Sequence, residues 1–307
     1  MKKRFHFSLW LGSIFVFFLI VIAVAGPYLA PYDLEYQAKM RQEVVNGKQV
    51  VVAPPLPPSE EHLLGTDKWG YDLLTLLLHG APYTVFITLV IAFIRVLLGT
   101  WIGLYIGIQD KEQRWWMAIE NAWSYMPVFI PVYFLLRGIN VNSELPMFTL
   151  VLLFIGLVSV LGTPSVASSV RQKAEQIKES QYVLAAVALG AGRNQIVFRH
   201  ILPHLKEQLI IILVTEMIAV MTLMGLLGIF DLFVGGTEMT FDPILYHSIT
   251  HEWAGLLGSY RGFIYSNYTW IFLVPLGAFM IAIGSFSLLA KGLRDKFEQT
   301  YNRTPFI

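Results

Sequence analysis

KESQYVLAAVALGAGRNQIVFRHILP, residues 178–203, stands between long apolar runs too hydrophobic for a soluble protein, and it reads as a docking surface. Its first half, Glu179 to Leu189, is rich in helix formers. Tyr182, Ala185, Ala186 and Leu189 recur there at three- to four-residue spacing, which gives one helix a small apolar side. Gly190 and Gly192 are expected to stop this helix, because glycine accepts the left-handed conformation that closes a helix C-terminus. A second short helix is predicted from Asn194, with Ile196, Val197, Ile201 and Leu202 apolar and Arg193 and Arg199 polar. Pro203 then marks a kink or a restart before the next apolar run. The expected product is two short amphipathic helices in an L; a plain cytoplasmic helical hairpin between two spans shares these local features.

The flanking runs set the fold class. In a chain of 307 residues, 55% hydrophobic, the apolar residues come in runs of about 20, the length that crosses a hydrocarbon layer. The expectation is an all-α polytopic membrane protein with six transmembrane helices. A net charge of +1 and the lack of a basic tract with interleaved aromatics exclude nucleic acid as an expected partner. Without cysteine there are no disulfides and no thiolate metal sites.

The first span is expected from Phe7 to about Leu29, behind Lys2, Lys3 and Arg4. A signal peptide is the rival reading, since Ala23-Val24-Ala25 supplies a cleavage pattern. Residues 31–79 form an outside segment in which Asn46-Gly47, between valine-rich arms, signals a two-residue hairpin, followed by a stiff linker at Pro54, Pro55, Pro57 and Pro58. Thr66 or Asp67 is the predicted N-cap that precedes the second span, about Pro82 to Ile108. Gly99, Gly103 and Gly107 give that span a small-residue stripe for close packing within the bundle. Further spans are predicted from Trp115 to Leu136, broken by Pro127 and Pro131, then Leu145–Leu161, Leu205–Phe230 and Tyr268–Ala290. A second outside segment, Asp231 to Asn267, is expected to carry a short helix around Asp242 to Leu257 that lies near the membrane surface.

Charge placement predicts the orientation. Of 22 Lys and Arg, 15 fall on the segments read as inside and 6 on those read as outside, with Arg95 within a span. Both termini are therefore expected in the cytoplasm. A charge at the depth of Arg95 is costly and must face protein or water. It is a candidate pathway residue, or one half of a structural pair with Glu120 or Glu216. Met217, Met221 and Met224 form a flexible stripe that suits bundle core or a substrate contact.

Some chemistry is missing from the sequence. There is no GxxxxGK[ST] phosphate loop and no GxSxG elbow, and His251-Glu252 lacks the second histidine of HExxH because Gly255 occupies that position. Arg95, Glu120 and Glu216 make no recognisable catalytic set for an intramembrane enzyme or a channel. His247 and His251, four apart, suit one helix face as metal ligands but have no clear third ligand, so no metal site is assigned.

The stretch at 178–203 resembles the cytoplasmic EAA loop of ABC-importer permeases through Ala185, Ala186, Gly190 four residues on, and Leu202-Pro203. Leu184 replaces the usual glutamate and His200 the usual isoleucine. The form AAxALGA…FRHILP is similar to the dipeptide, oligopeptide and nickel branch, C-type subunit. AGPYLAPYDL, Gly65-Thr66-Asp67 with Gly70-x-Asp72, and Gly292-Leu293-Arg294-Asp295 resemble further segments of that branch. Tyr71 and Asn121 stand where the branch usually has arginine and aspartate.

The resemblance implies the type I ABC-importer permease fold in a bacterial inner membrane, divided into 1–30, an outside segment 31–79, a core 80–292 with its loop at 166–205, and a tail 293–307. It implies coupling to ATPases through Tyr182, Ala185, Ala186, Gly190, Ala191, Arg199, His200, Leu202 and Pro203. Arg95, Asn121, Glu216 and Met221 are the candidate pathway or interface residues. The implied partners are a second permease, two ATPase subunits that hold ATP and Mg, an extracellular solute-binding protein, lipid and a peptide substrate. Nickel or a metal-opine complex is the alternative cargo. No cofactor is expected on this chain, which is not expected to be an enzyme.

Overall fold

The apolar runs fold as helices in a computed structural model that describes residues 7–45, 48–109 and 114–301. The first is α1 (Phe7–Leu29). Next come β1 (Arg41–Val45) and β2 (Lys48–Val52), paired antiparallel with Val45 opposite Lys48. The hairpin is the one expected, although its Asn46-Gly47 turn lies outside the described residues, as do Lys2, Lys3, Arg4, Lys111 and Arg303.

The second span, α2 (Leu73–Gly107), starts well before Pro82. Its N-cap is Asp72, not Thr66 or Asp67: the Asp72 carboxylate accepts from Thr75 N at 2.8 Å and from the Thr75 hydroxyl at 2.9 Å. The third span is broken into α3 (Arg114–Tyr125) and α4 (Phe129–Asn140). Pro127 lies in the break, while Pro131 is harmless in the first turn of α4, where a missing N–H costs little.

The fourth span, α5 (Met147–Lys178), does not stop at Leu161 but runs on through Pro164. It continues because its lower half has a groove to fill. A Cβ on Gly99 would lie 2.7 Å from the Val166 side chain, one on Gly103 2.5 Å from Ala167 O, and one on Gly107 3.0 Å from the Ala174 Cβ. In lipid, where apolar side chains gain little from meeting each other, such backbone contact is what holds helices together. The glycine stripe therefore binds α2 to α5 within the chain.

After α5 come α6 (Gln181–Ala188), the short turn α7 (Arg193–Gln195), a π turn at Ile196–Ile201 and α8 (Leu202–Ile229). The expected L does not form as two separate arms, because α7, the π turn and α8 run on as a single apolar helix from Arg193 to Ile229. Pro203 falls in the first turn of α8, and Leu202 N bonds back to Val197 O, a wider π spacing that relieves the proline ring without breaking the helix.

On the opposite end β3 (Thr237–Phe241) pairs with β4 (Ile244–Ser248), followed by α9 (Trp253–Tyr260), a 3-10 turn at Arg261–Tyr265 and α10 (Trp270–Tyr301). The helix predicted over Asp242–Leu257 is thus a hairpin followed by a later helix. α9 packs against α2. Trp253 is buried and donates from Nε1 to Leu77 O at 2.8 Å, and its backbone N–H donates to the Thr84 hydroxyl at 2.9 Å.

Among the described residues five helices, α1, α2, α5, the continuous helix ending in α8, and α10, are long and apolar enough to cross a membrane, and α4 is a shorter apolar helix. Gly12 meets the Leu289 backbone and Gly292 meets Leu9 Cα, so the start of α1 lies beside the end of α10. Gly107 meets Arg171 and Ala174 close to where α5 turns into α6.

Candidate coupling site

The turn that frees α6 from α5 is built by polar capping. Ser180 N bonds to Ile177 O at 3.0 Å, the Ser180 hydroxyl donates to the same carbonyl, and Val183 N and Leu184 N return to Ser180 O. A single side chain of α6 is buried: Val183 enters a cluster with Leu104, Val170, Ala174, Val197 and Ile201, drawn from α2, α5 and the π turn. The rest of the helix faces outward. Tyr182, Leu184, Val187 and Leu189 are exposed, Leu189 to 89%, as is Ala185, while Ala186 is half-buried. The outer side of α6 is therefore largely apolar and exposed.

Gly190 closes α6 at φ 87°, with its N–H on Val187 O at 2.9 Å, and the next N–H, of Ala191, reaches Ala186 O at 3.0 Å. A Cβ on Gly190 would meet nothing within 4 Å, so glycine is needed there for backbone conformation, not for space. Gly192 has an ordinary φ of −71° and instead precedes α7, so only one of the two expected stop glycines is left-handed. Arg199 and Pro203 are exposed, and His200 and Leu202 are half-buried. His204 stacks on Tyr182 with ring centroids 5.2 Å apart, and Tyr105 donates to Asn194 Oδ1 at 3.2 Å. α6 is thereby tied to α8, and α2 to α7.

The candidate pathway residues do not form one group. Arg95 on α2 pairs with Glu216 on α8 at 2.9 Å, and its guanidinium also donates to Val158 O on α5 at 2.9 and 3.2 Å. Of the two acids considered, Glu216 is the partner; Glu120 bonds to Arg171 instead. Met221 is fully buried in the core with Met217 and Met224, away from any open surface. Asn121 is exposed on α3.

At the other end, two carboxylates fold the segment before α2. Asp67 accepts from Trp69 N and Tyr71 N, each at 2.9 Å, and from the Tyr260 hydroxyl at 2.9 Å, while Asp72 also holds His62 Nδ1 at 3.0 Å. Burial raises the Asp67 carboxyl above the usual range, opposed by these bonds. Sequence reasoning missed Glu252, the N-cap of α9. Its carboxylate accepts from Val234 N at 2.9 Å and from Gly255 N, and burial pushes it up to about 8. No spacing marks it; only a preceding loop folded over the helix end buries it. His247 lies on β4 against Trp69 and His251 in the following loop at φ 53°, so they share no helix face. Burial lowers His251 to about 4.

Residues 95–301 match the family described as binding-protein-dependent transport system inner membrane component. This chain belongs to that family. The match begins at Arg95 and takes in the α2–α5 crossing, α6 with its glycine and proline, and α10. The dipeptide transport system permease protein DppC of Bacillus subtilis is 25% identical over 295 residues, 95% of this chain and 82% of that one. DppC of Haemophilus influenzae is 26% identical over 298 residues, 94% and 89% of the two chains. The relatives thus extend over α1 and the outer segment, which the family match leaves out. This permease is accordingly a multi-pass membrane protein and one component of a transport system with other subunits.

Proposed function

We propose that this permease is a membrane-spanning subunit of an ATP-driven importer of dipeptides or oligopeptides, with its termini and α6 in the cytoplasm. Peptide cargo is taken from the relatives, which are dipeptide permeases by name. The observation that carries the reading is α6 itself, a helix with one buried side chain, Val183, and an exposed, largely apolar outer side. ATP and Mg are held by two cytoplasmic ATPase subunits, a second permease completes the pathway, and an extracellular solute-binding protein delivers the peptide. The chain itself has no phosphate loop, so ATP hydrolysis falls to the ATPase subunits.

In this mechanism the ATPases close on ATP and move α6. Val183 passes that movement to the ends of α2, α5 and α8 that meet around it. Because glycine contacts lock α2 to α5, the two move as one body against the rest, a shift between outward- and inward-facing arrangements. Uptake of a labelled dipeptide by a strain deleted for this gene tests the reading. Uptake is expected to be lost and restored by the intact gene; unchanged peptide uptake together with lost uptake of nickel would overturn the cargo.

A further inference from the structure

The proposed mechanism moves the α2–α5 body but leaves open how α3 follows, since α3 packs chiefly against α5. Among its described side chains only Trp116, Glu120 and Trp123 are partly covered, spaced i, i+4 and i+7 on one stripe, and the others are exposed. Trp123 and Glu120 make polar connections from the stripe to α5. Trp123 Nε1 donates to Leu161 O at 2.9 Å. The Glu120 carboxylate takes Arg171 Nε and Nη2, each at 3.2 Å, and the Ser168 hydroxyl.

We infer that Glu120 and Arg171 are positioning residues whose ion pair carries the movement of α6 and α5 into the broken third span. The inference rests on the coupling role proposed for α6. Arg171 is fixed on one side by backbone contact: a Cβ on Gly103 would lie 2.9 Å from Arg171 N and one on Gly107 2.9 Å from Arg171 O. It lies on α5 about two turns before the helix ends. Its other guanidinium nitrogen donates to Glu175 Oε1 at 2.7 Å, which leaves the Nε edge aimed at α3. Both side chains are largely covered, Arg171 15% and Glu120 11% exposed, so neither charge can be left unpaired without loss. The acid that the family resemblance would place at position 121 stands here one residue earlier. Asn121 points to the surface, and the longer glutamate side chain at 120 reaches Arg171.

The test uses the full complex in proteoliposomes, with the ATPase subunits, second permease and binding protein, and reads peptide moved per ATP hydrolysed. Glu120→Arg and Arg171→Glu are each expected to assemble and to hydrolyse ATP, yet to lower this ratio about tenfold, while the double exchange restores most of it. Glu120→Asp, which keeps the charge, should lie between. If the charge reversals fail to assemble, Glu120→Gln, which keeps the shape, carries the same comparison with the wild type. Assembled single variants with the wild-type ratio would overturn the inference and leave the function of α6 standing, as would a double exchange no better than either single change. A wild-type chain that binds no ATPase would overturn both.

Discussion

Arg95 and Glu216 meet at 2.9 Å between α2 and α8, and Arg95 also holds a carbonyl of α5, so a single guanidinium joins three helices inside the bundle. Gly162 gives it room, since a Cβ there would overlap the guanidinium. Removing one partner strands the other charge in a low-dielectric interior. Arg95→Ala or Glu216→Ala is expected to cost about 3–5 kcal/mol, whereas an apolar pair such as Arg95→Met with Glu216→Leu should cost much less. Thermal unfolding of the purified protein in mild detergent checks both, and equal losses in single and double variants would contradict the pairing.

Gly103→Leu should separate α2 from α5, because its backbone contact with Ala167 has no space for a side chain. Overpacking of this kind costs about 1–3 kcal/mol. Cysteine pairs placed across the crossing should lose their cross-linking efficiency in that variant.

Asp67→Ala leaves Trp69 N, Tyr71 N and the buried Tyr260 hydroxyl without their acceptor. A loss of about 1–3 kcal/mol is expected. Tyr260→Phe removes one of these bonds and should cost less. Limited proteolysis of the segment before α2 reports the difference, with faster cleavage in Asp67→Ala.

Glu252 gives a pH dependence of unusual sign. Its folded value of about 8 lies above the ordinary 4.5, so the folded state binds the proton more tightly, and the stability this confers is lost as pH rises from 4.5 through 8. His251 acts oppositely: its folded value near 4 is below 6.5, so stability falls as pH drops from 6.5 toward 4. Above 6.5 only the Glu252 contribution of the two still changes. The melting temperature should fall between pH 6.5 and 8.5 in the wild type and fall less in Glu252→Gln; parallel curves would contradict the assignment.

Much of this was legible in the sequence because lipid simplifies the code. Runs of about 20 apolar residues mark spans, and the stripe at Gly99, Gly103 and Gly107 announces a close crossing. Helix ends were less legible. α5 passes Leu161 because the partner for its lower half, α2, is remote in sequence, and Pro203 failed to separate two helices because a π turn absorbed it. At the candidate coupling site the small alanines and the stop at Gly190 could be read locally. Val183, which anchors α6, could not, since its burial depends on Leu104, Val170 and Val197 arriving from other helices. Glu252 was hidden for the same reason.

The most direct measurement is an affinity pull-down of the tagged permease from mild detergent, with identification of the co-purifying chains and an ATPase assay. Recovery of two ATPase subunits and a second permease is expected from the wild type. Gly190→Arg, which forces a side chain into the left-handed turn, should stay inserted but lose the ATPases and with them peptide uptake. A wild-type chain recovered alone, or a Gly190→Arg variant that keeps both its ATPases and normal uptake, would contradict coupling through α6.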